Sequence, residues 1–159
     1  DLDHMIIPDR FTIGGAVAGV ALAVVVPGLH GFDSGIAVVD GMRSGLSAII
    51  GLLIGSGVVL WIALLAEVVL KKEAMGFGDV KLAGVLGLFL AWLGWGELLV
   101  GAFAAFVLGG VFSIILLASR RAGRKSGIPF GPWMLAGAWV GIFLGGIIWT
   151  GYLSLFGLG

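Results

Sequence analysis

The chain has 159 residues, 60% of them hydrophobic and only 11% charged, with a mean hydropathy of +1.19; soluble domains carry about 25% charged residues, so a soluble globular fold is excluded and lipid is the solvent. Nine basic and nine acidic side chains cancel, which leaves no electrostatic reason for nucleic acid or a strongly acidic partner. The absence of Cys removes disulfides, thiolate zinc sites and a cysteine nucleophile.

The first residue is Asp1, followed by a polar stretch with no initiator Met, basic n-region or signal peptide. The expectation is a single membrane-embedded unit over residues 1–159, beginning inside a longer protein whose preceding helix ends at Asp1. The polar entry runs to Asp9. Continuous apolar runs then predict five spans: Phe11 to Val26, Gly45 to Leu70, Val80 to Trp95, Leu98 to Ala118, and Pro132 to about Thr150. The first and third are short for a core that takes about 20 residues to cross, so they extend a turn or sit partly inside the bundle. Between the spans lie a loop from Pro27 to Ser44, a charged loop from Lys71 to Asp79, a tight turn around Gly94 to Glu97 and a basic loop from Ser119 to Gly131. The predicted fold class is therefore all-α, a polytopic transmembrane bundle that is part of a larger one. Thirty glycines suit it, and Gly51 with Gly55, and Gly137, Gly141 and Gly145, recur at the four-residue spacing by which neighbouring helices approach closely.

Charge sorts across these spans. Arg10, Lys71, Lys72, Lys81, Arg120, Arg121, Arg124 and Lys125 fall on one side and only Arg43 on the other, a positive-inside pattern that assigns the first side to the cytoplasm. Asp1, Asp3, His4, Asp9, Glu73 and Asp79 come to the same edge. The basic loop Arg120 to Lys125 reads as a topology anchor on anionic headgroups, and Glu67 with Lys71, four apart on a helix, as an interfacial pair.

Two constellations carry chemistry. The segment Asp1-Leu2-Asp3-His4-Met5-Ile6-Ile7-Pro8-Asp9 places Asp1 and His4 on one face if it is helical, before Pro8 redirects the chain. The segment Met75-Gly76-Phe77-Gly78-Asp79-Val80-Lys81 opens the third span, with Gly76 and Gly78 permitting backbone geometries and approaches that other residues resist. Read alone, the first is a solvated loop and the second a glycine turn with Asp79 as helix N-cap. Together they put two carboxylates at one bundle edge, where ionisable groups face the interior or a water-filled cavity. Two such groups share one proton and titrate as a pair, the arrangement in which one partner activates water and the other polarises a carbonyl.

At these residues the chain resembles the type IV prepilin peptidases, including the archaeal preflagellin peptidases, which are membrane aspartic proteases of the GxGD type. The resemblance is carried by Asp1 to Asp9, by Lys72 to Leu82 with its Gly76-Phe77-Gly78-Asp79, and by Ile128-Pro129-Phe130-Gly131-Pro132, and it runs over essentially the whole chain. It implies Asp1 and Asp79 as catalytic residues, Asp3 as the alternative to Asp1, and Gly76, Gly78, Lys81, Glu73, Lys72 and His4 as supporting positions. The implied substrate is the basic leader of a type IV prepilin or pseudopilin, cut at the cytoplasmic face of a prokaryotic inner membrane, with membrane lipid as the other partner. Peptidase chemistry of this kind takes no metal and no cofactor. Larger members also carry a cysteine-containing cytoplasmic domain and methylate the new terminus with S-adenosylmethionine; this chain holds no Cys, so S-adenosylmethionine is expected only where the full-length protein has a methyltransferase domain. The chief rival is a transporter or channel with a carboxylate-lined cation or proton path, which needs acidic groups near mid-membrane. A metalloenzyme using His4 is the weaker rival, since HExxH is absent.

Overall fold

The computed structural model describes residues 9–70, 76–119 and 130–157. These form α1 (Asp9–Val25), a 3-10 turn (Pro27–His30), α2 (Ala37–Leu70), α3 (Phe77–Leu93), α4 (Trp95–Ala118) and α5 (Gly131–Leu155), and no strand occurs among the described residues. The helices are the uninterrupted apolar runs, and their ends fall where the backbone chemistry changes. Helix α1 stops ahead of Pro27, which cannot continue it. Helix α3 stops at Gly94, whose φ of 153° is open to glycine and strained for other residues.

α2, α4 and α5 are each long and apolar enough to cross a membrane. α1 and α3 have 17 residues each, about 25 Å at 1.5 Å per residue. The two short spans differ in setting. α3 is the central post, in contact with all four other helices, and buries Val80, Ala83, Gly84, Gly87, Leu88, Leu90 and Ala91. α1 lies outside it with Phe11 and Val25 about three-quarters exposed. Large apolar side chains point outward all around the bundle, among them Trp61, Val68, Phe103, Ile114 and Ile147; such a surface is stable only against lipid. Several hydroxyls in the helices are satisfied locally: Ser56 donates to the Leu52 carbonyl at 2.8 Å and Ser113 to that of Gly109 at 2.7 Å.

Glycine sets the packing. The Gly51–Gly55 stripe of α2 lies directly on the Ala83–Gly87 backbone of α3, where a Cβ on Gly87 would stand 2.5 Å from the Gly51 carbonyl oxygen. On α5, Gly137 meets Ala105 and Gly101 of α4, while Gly141 and Gly145 meet Gly101 and Glu97. These contacts make α2 antiparallel to α3 and α5 antiparallel to α4. Two tight helix pairs result, α2 with α3 and α4 with α5, joined by the single residue Gly94.

Some expected boundaries move. α2 begins at Ala37, not Gly45, because the residues between them that look loop-like are part of a buried helix start. Asp40 is 4% exposed and accepts the Ser34 backbone N–H at 2.7 Å and its hydroxyl at 2.6 Å. Ser44 is fully buried, and Gly41 and Gly45 admit Val24 of α1. At the other connection Trp95, Gly96 and Glu97 are the first turn of α4 rather than part of a loop, and α5 runs on past Thr150 to Leu155.

Candidate active site

Asp79 is the third residue of α3, and Gly76 is the N-cap, so the carboxylate does not itself occupy the cap position. Its backbone N–H donates to the Gly76 carbonyl at 3.0 Å, and the Gly76 backbone favours the charged form of the carboxylate. The N–H bond satisfies one terminal group of a helix that opens in an apolar setting. Asp79 is half-buried and stands ahead of the apolar stretch Leu82–Leu93. Burial pushes its carboxyl above the ordinary carboxylate range, with the Gly76 bond opposing that rise.

Position along the helix connects Asp79 to the interior. Ala83, Leu86 and Leu90 follow it at four, seven and eleven residues, on one face. That face lines an apolar cavity of about 320 Å³ between the two helix pairs, walled by Gly55 and Val59 on one side and by Gly101, Phe106 and Met134 on the other. Val80 and Ala83 pack with Val59, Ala105 and Met134, and Phe130 closes on Phe106 with ring centroids 5.2 Å apart. The carboxylate thus stands one helical turn beyond the end of a greasy cleft that opens into the bundle. This cleft escaped the sequence reading, although the spacing from Asp79 to Ala83, Leu86 and Leu90 is legible in it.

Helix α1 runs parallel to α3. Gly15 packs on Val85, and Gly19 on Leu88 and Phe89, a register that brings the backbone of Asp9 to the level of Asp79. The start of α1 therefore lies at the edge where Asp79 sits. Of the expected site residues, Asp79, Gly76, Gly78 and Lys81 are described, whereas Asp1, Asp3, His4, Lys72 and Glu73 lie outside the described residues. So do Lys71, the basic residues Arg120 to Lys125, Ile128 and Pro129. Lys81 lies over the exposed Phe77 ring at 5.4 Å, one turn along α3.

Gly76 departs from expectation. Its φ of −72° and ψ of 147° suit any residue, and a Cβ there meets nothing described within 4 Å. Among the described residues nothing around it demands glycine. Replacing it with Ser, whose hydroxyl oxygen can accept a helix N–H at the cap where Ala cannot, is expected to leave the melting temperature within about 2 °C of wild type, a shift of at most about 1 kcal/mol. Thermal unfolding in detergent checks this, and any accompanying loss of activity then reports on the site.

Fold and site together define a polytopic helical membrane protein with a half-buried carboxylate one helical turn from the end of an apolar cleft. The profile of the type IV leader peptidase family matches residues 1–114, and the chain belongs to that family. It is similar to the prepilin leader peptidase/N-methyltransferase of Aeromonas salmonicida strain A449, 32% identical over 97% of this chain and 47% of the relative. Proteins of the same description from Aeromonas hydrophila and Stutzerimonas stutzeri are 33% and 30% identical, covering 98% and 97% of this chain and 48% and 47% of theirs. The chain spans about half the length of these curated relatives. No solved structure matches it.

Proposed function

We propose that residues 1–159 are the membrane core of an aspartic endopeptidase that removes the leader from type IV prepilins or pseudopilins at the cytoplasmic face of a prokaryotic inner membrane. The observation that carries this reading is Asp79 one helical turn from the end of the apolar cleft, together with the parallel register that brings the start of α1 to the same level. An amphiphilic substrate lying in the bilayer delivers its scissile bond to such an edge. The concentration of Arg and Lys on that side supports the cytoplasmic assignment.

In the proposed chemistry Asp1, or Asp3 in its place, is the ionised partner and Asp79 the protonated one. The carboxylate takes a proton from water as the oxygen attacks the scissile carbonyl carbon. Asp79 donates its hydrogen bond to the carbonyl oxygen, and the tetrahedral species collapses with cleavage of the C–N bond and proton delivery to the leaving amine. Gly76, Gly78, Lys81, Lys72, His4 and Glu73 support the site. No metal or cofactor takes part in these steps. S-adenosylmethionine would serve only a methyltransferase domain of the full-length protein, where the cysteine-bearing segment and the preceding helix also belong.

The test is cleavage of a prepilin by the purified full-length protein, comparing wild type with Asp1→Asn, Asp3→Asn and Asp79→Asn. Loss of cleavage with Asp79→Asn and with one of the first two supports the dyad; near wild-type rates for all three would overturn it. The raised pKa of Asp79 adds a pH signature. A group that must be protonated, and whose pKa lies above the ordinary value, keeps its proton as pH rises past that value. The alkaline limb of the rate profile is therefore expected above the range of a free carboxyl, and Asp79→Asn should remove that limb from whatever residual rate remains.

A further inference from the structure

We propose that His30 is a proton-sensitive latch holding the connection between α1 and α2 onto the far end of α3, closed while its imidazole is neutral and released when it is protonated. The latch sits at the end of the bundle opposite Asp79: Trp92, which it meets, is 13 residues along α3 from Asp79, about 20 Å at 1.5 Å per residue. It is independent of the catalytic reading.

One imidazole ties three elements together. His30 ends the 3-10 turn, and its Nδ1 lies 2.6 Å from the hydroxyl of Ser44 on α2, a fully buried residue. The ring stacks on Phe32 at 6.2 Å and meets Trp92 of α3 at 6.1 Å and 70°. Its Nε2 is buried with no hydrogen-bond partner among the described residues, and so is Nε1 of Trp92. Among the described residues nothing accepts a hydrogen bond from Nε2, and the neighbouring Trp92 indole nitrogen can only donate. A neutral ring suits this setting: Nδ1–H donates to Ser44 and Nε2 keeps its lone pair. Adding a proton creates a buried N–H without an acceptor and a partly desolvated charge, both costly.

Charged neighbours offer no ready compensation. Asp40 lies one turn before Ser44 on α2, but Ser34 already engages both of its oxygens. Arg43 of α2 and Asp33 of the connection are exposed. The last turns of α1 and of α3 carry no titratable group, and Glu97 at the start of α4 packs on Gly94 and the α5 glycines. Burial accordingly holds His30 below its ordinary value. The sign follows: a folded-state pKa below the unfolded one contributes stability that is complete above about pH 6.5 and is lost as pH falls from there toward the folded value. Gly31 and Gly35, with φ of 69° and 80°, lie within the segment that would swing free.

Hydrogen exchange of the full chain in lipid nanodiscs at pH 8 and pH 5, corrected for intrinsic rates, tests the latch. Amides of residues 27–36 are expected to exchange about tenfold faster at pH 5 while α4 and α5 hold steady, and His30→Gln should abolish that difference. Unchanged wild-type exchange, or an equal acid response in His30→Gln, overturns the proposal. Should the variant not fold, the His30 ring nitrogens decide it by NMR titration in a His4→Gln background. A midpoint below about 6.5 supports the latch, and one at or above that value overturns it.

Discussion

Asp79→Asn is expected to reduce leader cleavage by the full-length protein about 10²–10⁴-fold, the range that a positioned acid or base contributes, with the fold intact. Asn has nearly the same shape, and the backbone bond from its N–H to the Gly76 carbonyl is unaffected. It cannot share a proton with a partner carboxylate. The variant should therefore unfold within about 1 kcal/mol of wild type, measured by thermal denaturation beside the cleavage assay. A drop in both would place Asp79 in the framework; a drop in cleavage alone places it in the chemistry.

The second large effect is on stability. Gly87→Ala is expected to destabilise the protein by about 1–3 kcal/mol, the usual cost of overpacking. Alanine is the better helix former by about 1 kcal/mol, so propensity by itself predicts the opposite sign. Packing wins because the methyl would meet backbone: the Gly51 carbonyl oxygen at 2.5 Å and the Gly55 Cα at 2.9 Å. Neither can turn aside as a side chain tip would, so α2 and α3 must separate. Gly57 on α2 is the control, since a Cβ there meets nothing within 4 Å. Gly57→Ala should be neutral or slightly stabilising in the same melting experiment, and equal losses at the two positions would sink the argument.

These two predictions draw on different strengths of the chain's organisation. Asp79 acts at a boundary, where a polar helix start meets an apolar cleft, and small changes in charge matter. Gly87 acts where two backbones touch, and small changes in volume matter. The proximity of the two is structural: the face of α3 that begins at Asp79 also lines the cleft, and the adjoining face is clamped to α2. Loosening the clamp moves the face, so Gly87→Ala in the full-length protein should also lower cleavage.

The sequence by itself determined the solvent, the fold class and four of the five helix positions closely, because apolar length and the near absence of charge dictate where a chain can cross lipid. It also marked Asp79 as a candidate, a carboxylate beside a long apolar run, where ionisable groups face the interior or a water-filled cavity. Only the tertiary structure decided the rest. The start of α2 was hidden because Asp40 and Ser44 look like loop residues until their partners, Ser34 and His30, are brought back against them. The cleft was hidden because it is formed by two helix pairs meeting, and no single span carries it. Gly76, a residue type that permits unusual backbone geometry, has an ordinary one. Composition and periodicity are properties of one segment at a time, whereas partners, cavities and the demands on a backbone arise between segments and become definite only once those segments pack.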